Sequence, residues 1–160
     1  MLHHFNPKVR TRLQTDASGF ALSGIISQPE PGIENPTNWH WHPVAFWSRK
    51  MTDVEHQYET YDHELLAIVE CFKHWCHYLE GSWYPIDVYS DHNNLHYFMT
   101  TKHLNSRQVQ WALALSLFDF EIQYTPGKMN PADAPSRCPD YAPEMEQGIG
   151  DLLPTFHNKM

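Results

Sequence analysis

The stretch from Thr52 to Gly81 constrains this chain more than any other part of it. Apolar residues at Tyr58, Tyr61, Leu65, Ile68, Phe72, Trp75 and Leu79 recur every three or four positions, the spacing of one buried helix face. Thr52 and Glu55 have the form of a capping box, in which a hydroxyl and a carboxylate satisfy free amides at a helix start, and Gly81 suits the end. The spacing predicts one long central helix, which must lie on an apolar surface supplied by the rest of the chain.

That surface reads as sheet. Residues 9–28 alternate, break at Ala17, Ser18 and Gly19, and resume as small and β-branched residues, which predicts a strand, a tight turn and a second strand. Residues 29–38 carry three prolines and a glycine and form a loop before a third strand over His42 to Ser48. After the helix, Pro85 to Ser90 reads as a fourth strand, Leu95 to Met99 as a helical turn or two, Ser106 to Phe118 as an amphipathic helix and Phe120 to Tyr124 as the last strand. Helices preceding the fourth and fifth strands predict that these run parallel through right-handed crossovers. The expected class is α/β, a five-stranded mixed sheet of three antiparallel strands and then two parallel ones, flanked by helices.

With 160 residues and 41% hydrophobic content the chain suits one domain with a tail. Six Trp, eight Tyr and eight Phe argue against disorder. Residues 1–8 are expected to be a linker, 9–139 the domain, and 140–160, rich in Pro and Gly, a tail or interdomain linker. No apolar run approaches the roughly 20 residues that span a bilayer, and the start lacks the apolar stretch of a signal peptide, so no membrane partner is expected. Cys71, Cys76 and Cys138 match no zinc or disulfide pattern and are expected to be reduced. The net charge of -8 excludes simple electrostatic attraction to nucleic acid; such a role needs a local basic face, or metal ions that neutralise acidic ligands.

Acidic residues stand at suggestive places. Asp16 ends the first strand, Asp91 follows the fourth, Glu64 lies on the central helix and Asp133 follows the fifth strand. If the first and fourth strands are adjacent and parallel, both Asp residues emerge at one sheet edge, where ligand sites of open α/β sheets form. Converging carboxylates repel unless a cation compensates, and oxygen donors without His or Cys favour Mg²⁺ or Mn²⁺. Two such ions about 3.5–4 Å apart suit phosphodiester hydrolysis. Each acid also has a plainer reading: a turn residue at Asp16, a solvated helix position at Glu64, a strand-end cap at Asp91 and a helix N-cap at Asp133.

The segments TDASGF (Thr15 to Phe20), PVAFWSRKM (Pro43 to Met51), YDHELLAIV (Tyr61 to Val69), SDHNNLHYF (Ser90 to Phe98) and YTPGKMNPADAPSR (Tyr124 to Arg137) occur in this order. Together they resemble the ribonuclease H domain of gypsy-type (Metaviridae) LTR retrotransposon polyproteins, over roughly Val9 to Tyr141. The resemblance implies a ribonuclease H-like fold and cleavage of the RNA strand of RNA:DNA hybrids during reverse transcription. It implies two Mg²⁺ or Mn²⁺ ions and four catalytic, metal-holding acids at Asp16, Glu64, Asp91 and Asp133. It also implies a polymerase domain before and an integrase after in the same polyprotein, and a place in a cytoplasmic virus-like particle or reverse-transcription complex, or in the nucleus.

Ser18, Asn93 and Asn94 flank the acids and are candidate substrate contacts, with turn and cap roles as the alternative. Arg107 and Lys128, with Lys102, His103, Gln108, Arg49 and Lys50, are candidate phosphate contacts, with a solvated surface as the alternative. Two departures from the family pattern stand out. The loop PGKMNPA lacks the His that many relatives carry before the last acid, leaving Lys128 or Tyr124 as substitutes. Pro135 stands where relatives often have Leu; inside a helix it would cost about 3 kcal/mol, so the last helix is expected to start near Asp133 and be short. The pairs His40/His42 and His74/His77 lack further ligands at zinc spacing and read as surface or packing residues. A catalytically weak or inactive hybrid-binding scaffold, connection-type or host-captured, is the competing function, and an integrase-like strand-transfer core the third.

Overall fold

In a computed structural model of the chain, residues 2–30, 40–93, 95–100, 103–126 and 129–136 are described. Alternation gives β1 (Arg12–Ala17), the run of small and β-branched residues after the turn gives β2 (Ala21–Pro29), buried along its whole length, and the chain returns as β3 (Trp41–Lys50). There follow α1 (Thr60–His74), α2 (Cys76–Leu79), β4 (Ile86–Ser90), α3 (Ser106–Leu115), β5 (Phe120–Tyr124) and α4 (Asp133–Ser136). The strands form one sheet in the order β3-β2-β1-β4-β5. β1, β2 and β3 pair antiparallel, whereas β4 runs parallel to β1 and β5 parallel to β4. This is the mixed sheet expected from the sequence, and it is the ribonuclease H-like fold.

The central helix differs in its start and end. Thr52 and Glu55 do form the box, with the Thr52 amide donating to Glu55 Oε2 at 2.9 Å and the Glu55 amide to Thr52 Oγ1 at 3.3 Å, but it opens only a 3₁₀ turn, Glu55–Gln57. Glu55 is also gripped by Arg49 of β3 at 2.8 and 2.9 Å, which fixes the turn to the sheet. Tyr58 and Glu59 are then extended, and α1 starts at Thr60. At the other end Trp75 leaves helical geometry (φ -105°, ψ 23°), and its buried indole packs against Gly24 of β2.

The α1 face that the periodicity marked packs on β1 and β2. Leu13, Ile26, Ile68, Phe72, Val88 and Leu95 are buried in one continuous core between them. Gly24 allows the close approach, since a Cβ there would collide with the Cys71 sulfur. Cys71 is buried and free, Cys76 exposed and free. Pro135 falls in the first turn of four-residue α4, where its missing amide costs nothing. Residues 2–8, expected as a linker, lie against the domain: the His3 amide donates to the Pro43 carbonyl at 3.1 Å, Phe5 stacks on Tyr78 at 4.7 Å, and the Asn6 amide donates to Gln28 at 2.8 Å. The tail expected at 140–160 and Cys138 lie outside the described residues. No helix among the described residues is long and apolar enough to cross a membrane.

Candidate metal centre

Parallel pairing of β1 with β4 decides the geometry. Arg12 lies opposite Asp87, Leu13 opposite Val88 and Gln14 opposite Tyr89, so continuing the register two residues takes the chain to Asp16 on one side and Asp91 on the other. α1 crosses the same sheet and brings Glu64 to the same edge. Asp16, Glu64 and Asp91 each offer a carboxylate oxygen, and these atoms all lie within 4.8 Å of one another. Asp16 and Glu64 are buried and Asp91 is half-buried.

Such a cluster is costly without a cation. Burial, then the charges of Asp91 and Asp16, push the Glu64 carboxyl up to about 9, although the Ala17 amide and the Ser90 hydroxyl donate to it and oppose the shift. Glu64 Oε2 is nevertheless buried with no hydrogen-bond partner. A buried carboxylate oxygen that finds no donor, facing two further carboxylates, fits a hard divalent cation: the donors are all oxygen, which suits Mg²⁺ or Mn²⁺.

The other residues singled out in the sequence fall in different places. α4 begins at Asp133 and packs on β1, β2 and β3, so its main chain comes to the sheet that carries Asp16; its side chain, like Asn94 and Lys128, lies outside the described residues. The Ser18 hydroxyl is used in the β1–β2 turn, accepting from the amides of Phe20 and Ala21 at 3.3 and 3.0 Å and donating to the Ala21 carbonyl. Asn93 is exposed just beyond Asp91.

Arg107 stands apart from the acids. It pairs with buried Asp62 of α1, lies 3.8 Å over the Tyr58 ring, and lines a groove of about 490 Å³ at the start of α1. Gln108 also donates to Asp62, at 2.8 Å, while closing a capping box with Asn105. Arg49 is taken up by Glu55 and Glu70. Of the candidate phosphate contacts, Arg49 and Arg107 are therefore engaged in ion pairs within the molecule.

Three residues escaped the sequence reading. Ser90 donates to Glu64, Asn130 donates to the Thr15 carbonyl at 2.7 Å, and Ser23 donates to the Ala132 carbonyl. The Asn-Pro-Ala run before Asp133 is a turn signal that marks Asn130, but no periodicity reveals which strand it reaches.

A mixed sheet of this order, with a carboxylate cluster at the edge where β1 and β4 end, defines an α/β domain of the ribonuclease H-like kind. Residues 6–118, which contain all three converging acids, match the RNase H-like domain found in reverse transcriptase, and the chain belongs to that family. It is 35% identical over 163 aligned positions to the Tf2-3 and Tf2-4 transposon polyproteins of Schizosaccharomyces pombe, covering all of this chain and 12% of each polyprotein. The chain thus spans about an eighth of the length of those relatives.

Among solved structures, the foamy viral protease-reverse transcriptase in complex with RNA/DNA hybrid superposes with a TM-score of 0.56 at 17% identity, over 99% of this chain and 19% of that one. LC11-RNase H1 in complex with RNA/DNA hybrid superposes with a TM-score of 0.55 at 10% identity, over 80% of this chain and 93% of that one. At these identities the likeness is one of fold.

Proposed function

We propose that the chain is the ribonuclease H domain of a gypsy-type LTR retrotransposon and cuts the RNA strand of RNA:DNA hybrids endonucleolytically with two Mg²⁺ or Mn²⁺ ions. The observation that carries this reading is the convergence of the Asp16, Glu64 and Asp91 oxygens within 4.8 Å. Asp16, Glu64 and Asp91 hold the ions, with Asp133 completing the set as the fourth catalytic acid. The ions supply an activated water and charge stabilisation at the leaving oxygen.

The chain's own residues do the rest. Ser90 and the Ala17 amide orient the Glu64 carboxylate, and α1 keeps one of its oxygens away from solvent until a cation takes it. The loop before Asp133 has no His, so Tyr124, half exposed at 51%, or Lys128 is left to assist water attack or product release. Binding of a hybrid by the solved relatives named above supports the choice of substrate. In this reading the domain works inside a polyprotein, with a polymerase domain before it and an integrase after it, in a cytoplasmic virus-like particle or reverse-transcription complex, or in the nucleus.

Incubation of the chain with end-labelled RNA:DNA hybrid and Mg²⁺ or Mn²⁺, beside Asp16→Asn and Asp91→Asn, tests the reading. The expected result is internal cleavage of the RNA strand that both substitutions abolish. Hybrid binding without cleavage under either metal would replace it with the scaffold reading, which the acidic net charge of -8 and the absent loop His favour.

A further inference from the structure

Asp133 comes from a part of the chain far in sequence from the other three acids, at the start of a helix of only four residues that rests on β1, β2 and β3. Its distance from them depends on what ties that short helix to the sheet. Asn130 is 5% exposed and carries no ionisable chemistry. Its amide spans two backbones: Nδ2 donates to the carbonyl of Thr15 at 2.7 Å, and Oδ1 accepts from the amide of Ala132 at 3.1 Å. Thr15 immediately precedes Asp16, and Ala132 immediately precedes Asp133.

The same residue, Ala132, is held from a second side. Ser23, buried on β2 directly opposite Asp16 in the strand register, donates its hydroxyl to the Ala132 carbonyl. Both polar groups of Ala132 are therefore tied to the β1–β2 ladder at the level of Asp16. A turn needs only a local cap on its own amides; this Asn makes that cap and also bridges to a residue 115 positions away. Burying a primary amide is unfavourable unless its hydrogen bonds are met, and here they are met by groups adjoining two of the acids.

We propose that Asn130 is a positioning residue for the cleavage centre: it locks Ala132, the residue before Asp133, against the peptide leading into Asp16, and Ser23 braces the peptide leading into Asp133 from β2. The spacing between Asp133 and the other three acids then follows from two side chains, not from the short helix. This rests on the reading of Asp133 as the fourth acid of a hybrid-cleaving centre. It predicts that loosening the lock spares the cation held by Asp16, Glu64 and Asp91 and impairs the one that needs Asp133.

Calorimetric titration of the 160-residue chain with Mn²⁺ alone tests this without reference to activity. Asn130→Ala is expected to leave the tighter cation within about twofold of the parent and to weaken the second by about tenfold or more, the scale on which groups that orient metal ligands act. Asp133→Asn is expected to do the same, and adding N130A to D133N is expected to bring no further loss, because both act on one element. Hybrid cleavage in parallel is expected to show kcat down about tenfold at limiting Mn²⁺ with KM within about threefold.

Unchanged binding of both ions in N130A would overturn the proposal, as would losses in N130A and D133N that simply multiply. If N130A does not fold, Ser23→Ala, which leaves Asn130 in place, is read against the same two outcomes. Failure of the parent to cleave hybrid sinks the proposed function, whereas the Mn²⁺ titration still decides the role of Asn130.

Discussion

Glu64 is held at about 9 in the folded chain against an ordinary 4.5, so between those values the folded chain keeps a proton that the unfolded chain has lost. Stability then falls as pH rises through that window, because the folded state binds more protons than the unfolded one. The metal-free chain is accordingly expected to melt at lower temperature at pH 8 than at pH 5.5, and Glu64→Gln is expected to flatten the slope; thermal unfolding followed by circular dichroism across pH checks both. A divalent cation ligated by Glu64 must displace that proton, so Mg²⁺ binding is expected to release about one proton at neutral pH in the parent and none through this group in E64Q. Titration in buffers of differing ionisation enthalpy measures the release, and binding with no proton release would place the cation elsewhere than on Glu64.

Among the elements, the α1–β2 contact and the α1–α3 clasp carry separable predictions. Gly24→Ala puts a methyl group into the Cys71 sulfur, with Trp75 beside it, so one element must shift. Overpacking of this kind costs about 1–3 kcal/mol, and the double substitution with Cys71→Ala, which opens the space, is expected to recover part of it in urea unfolding. Asp62→Ala strands Arg107 and Gln108 at the head of α3, where both donate to it. Loss of hydrogen bonds to a buried charged group costs about 1.5–3 kcal/mol, and a loss below about 0.5 kcal/mol by the same measurement would show that solvent takes over the partly exposed Arg107.

These contacts also show where sequence reading stops. Strand identity was legible because residue pattern reports burial, and strand direction because a helix precedes each of the last two strands; Asp16, Glu64 and Asp91 stood out through their places at strand ends and on the helix together with the family resemblance. The start of α1 was not, since Glu55 serves Arg49 of β3 as well as the box, a contact that no local pattern encodes. The reach of Asn130 to Thr15 was not legible for the same reason: a turn signal marks the residue, but its partner lies 115 positions away.

For the whole molecule the proposed function raises the question of how a chain with 19 acidic and 11 basic residues would hold a polyanion. Arg49, Arg107 and Arg10 are paired internally with Glu55, Asp62 and Asp87, which removes much of their charge from a passing phosphate backbone. The carboxylate cluster, if left bare, repels the same backbone at close range. Under the proposed function, cations at Asp16, Glu64 and Asp91 would then be the main attraction for hybrid. Each phosphate neutralised by the protein steepens the dependence of log affinity on log salt by roughly 0.9. Hybrid binding by fluorescence anisotropy, with Ca²⁺ on the oxygen donors, is therefore expected to show a shallow slope of about -2 to -3 and to weaken by about tenfold or more when the cation is chelated. A slope near -6 that persists in chelator would mean that a basic face, and not the acidic centre, holds the nucleic acid.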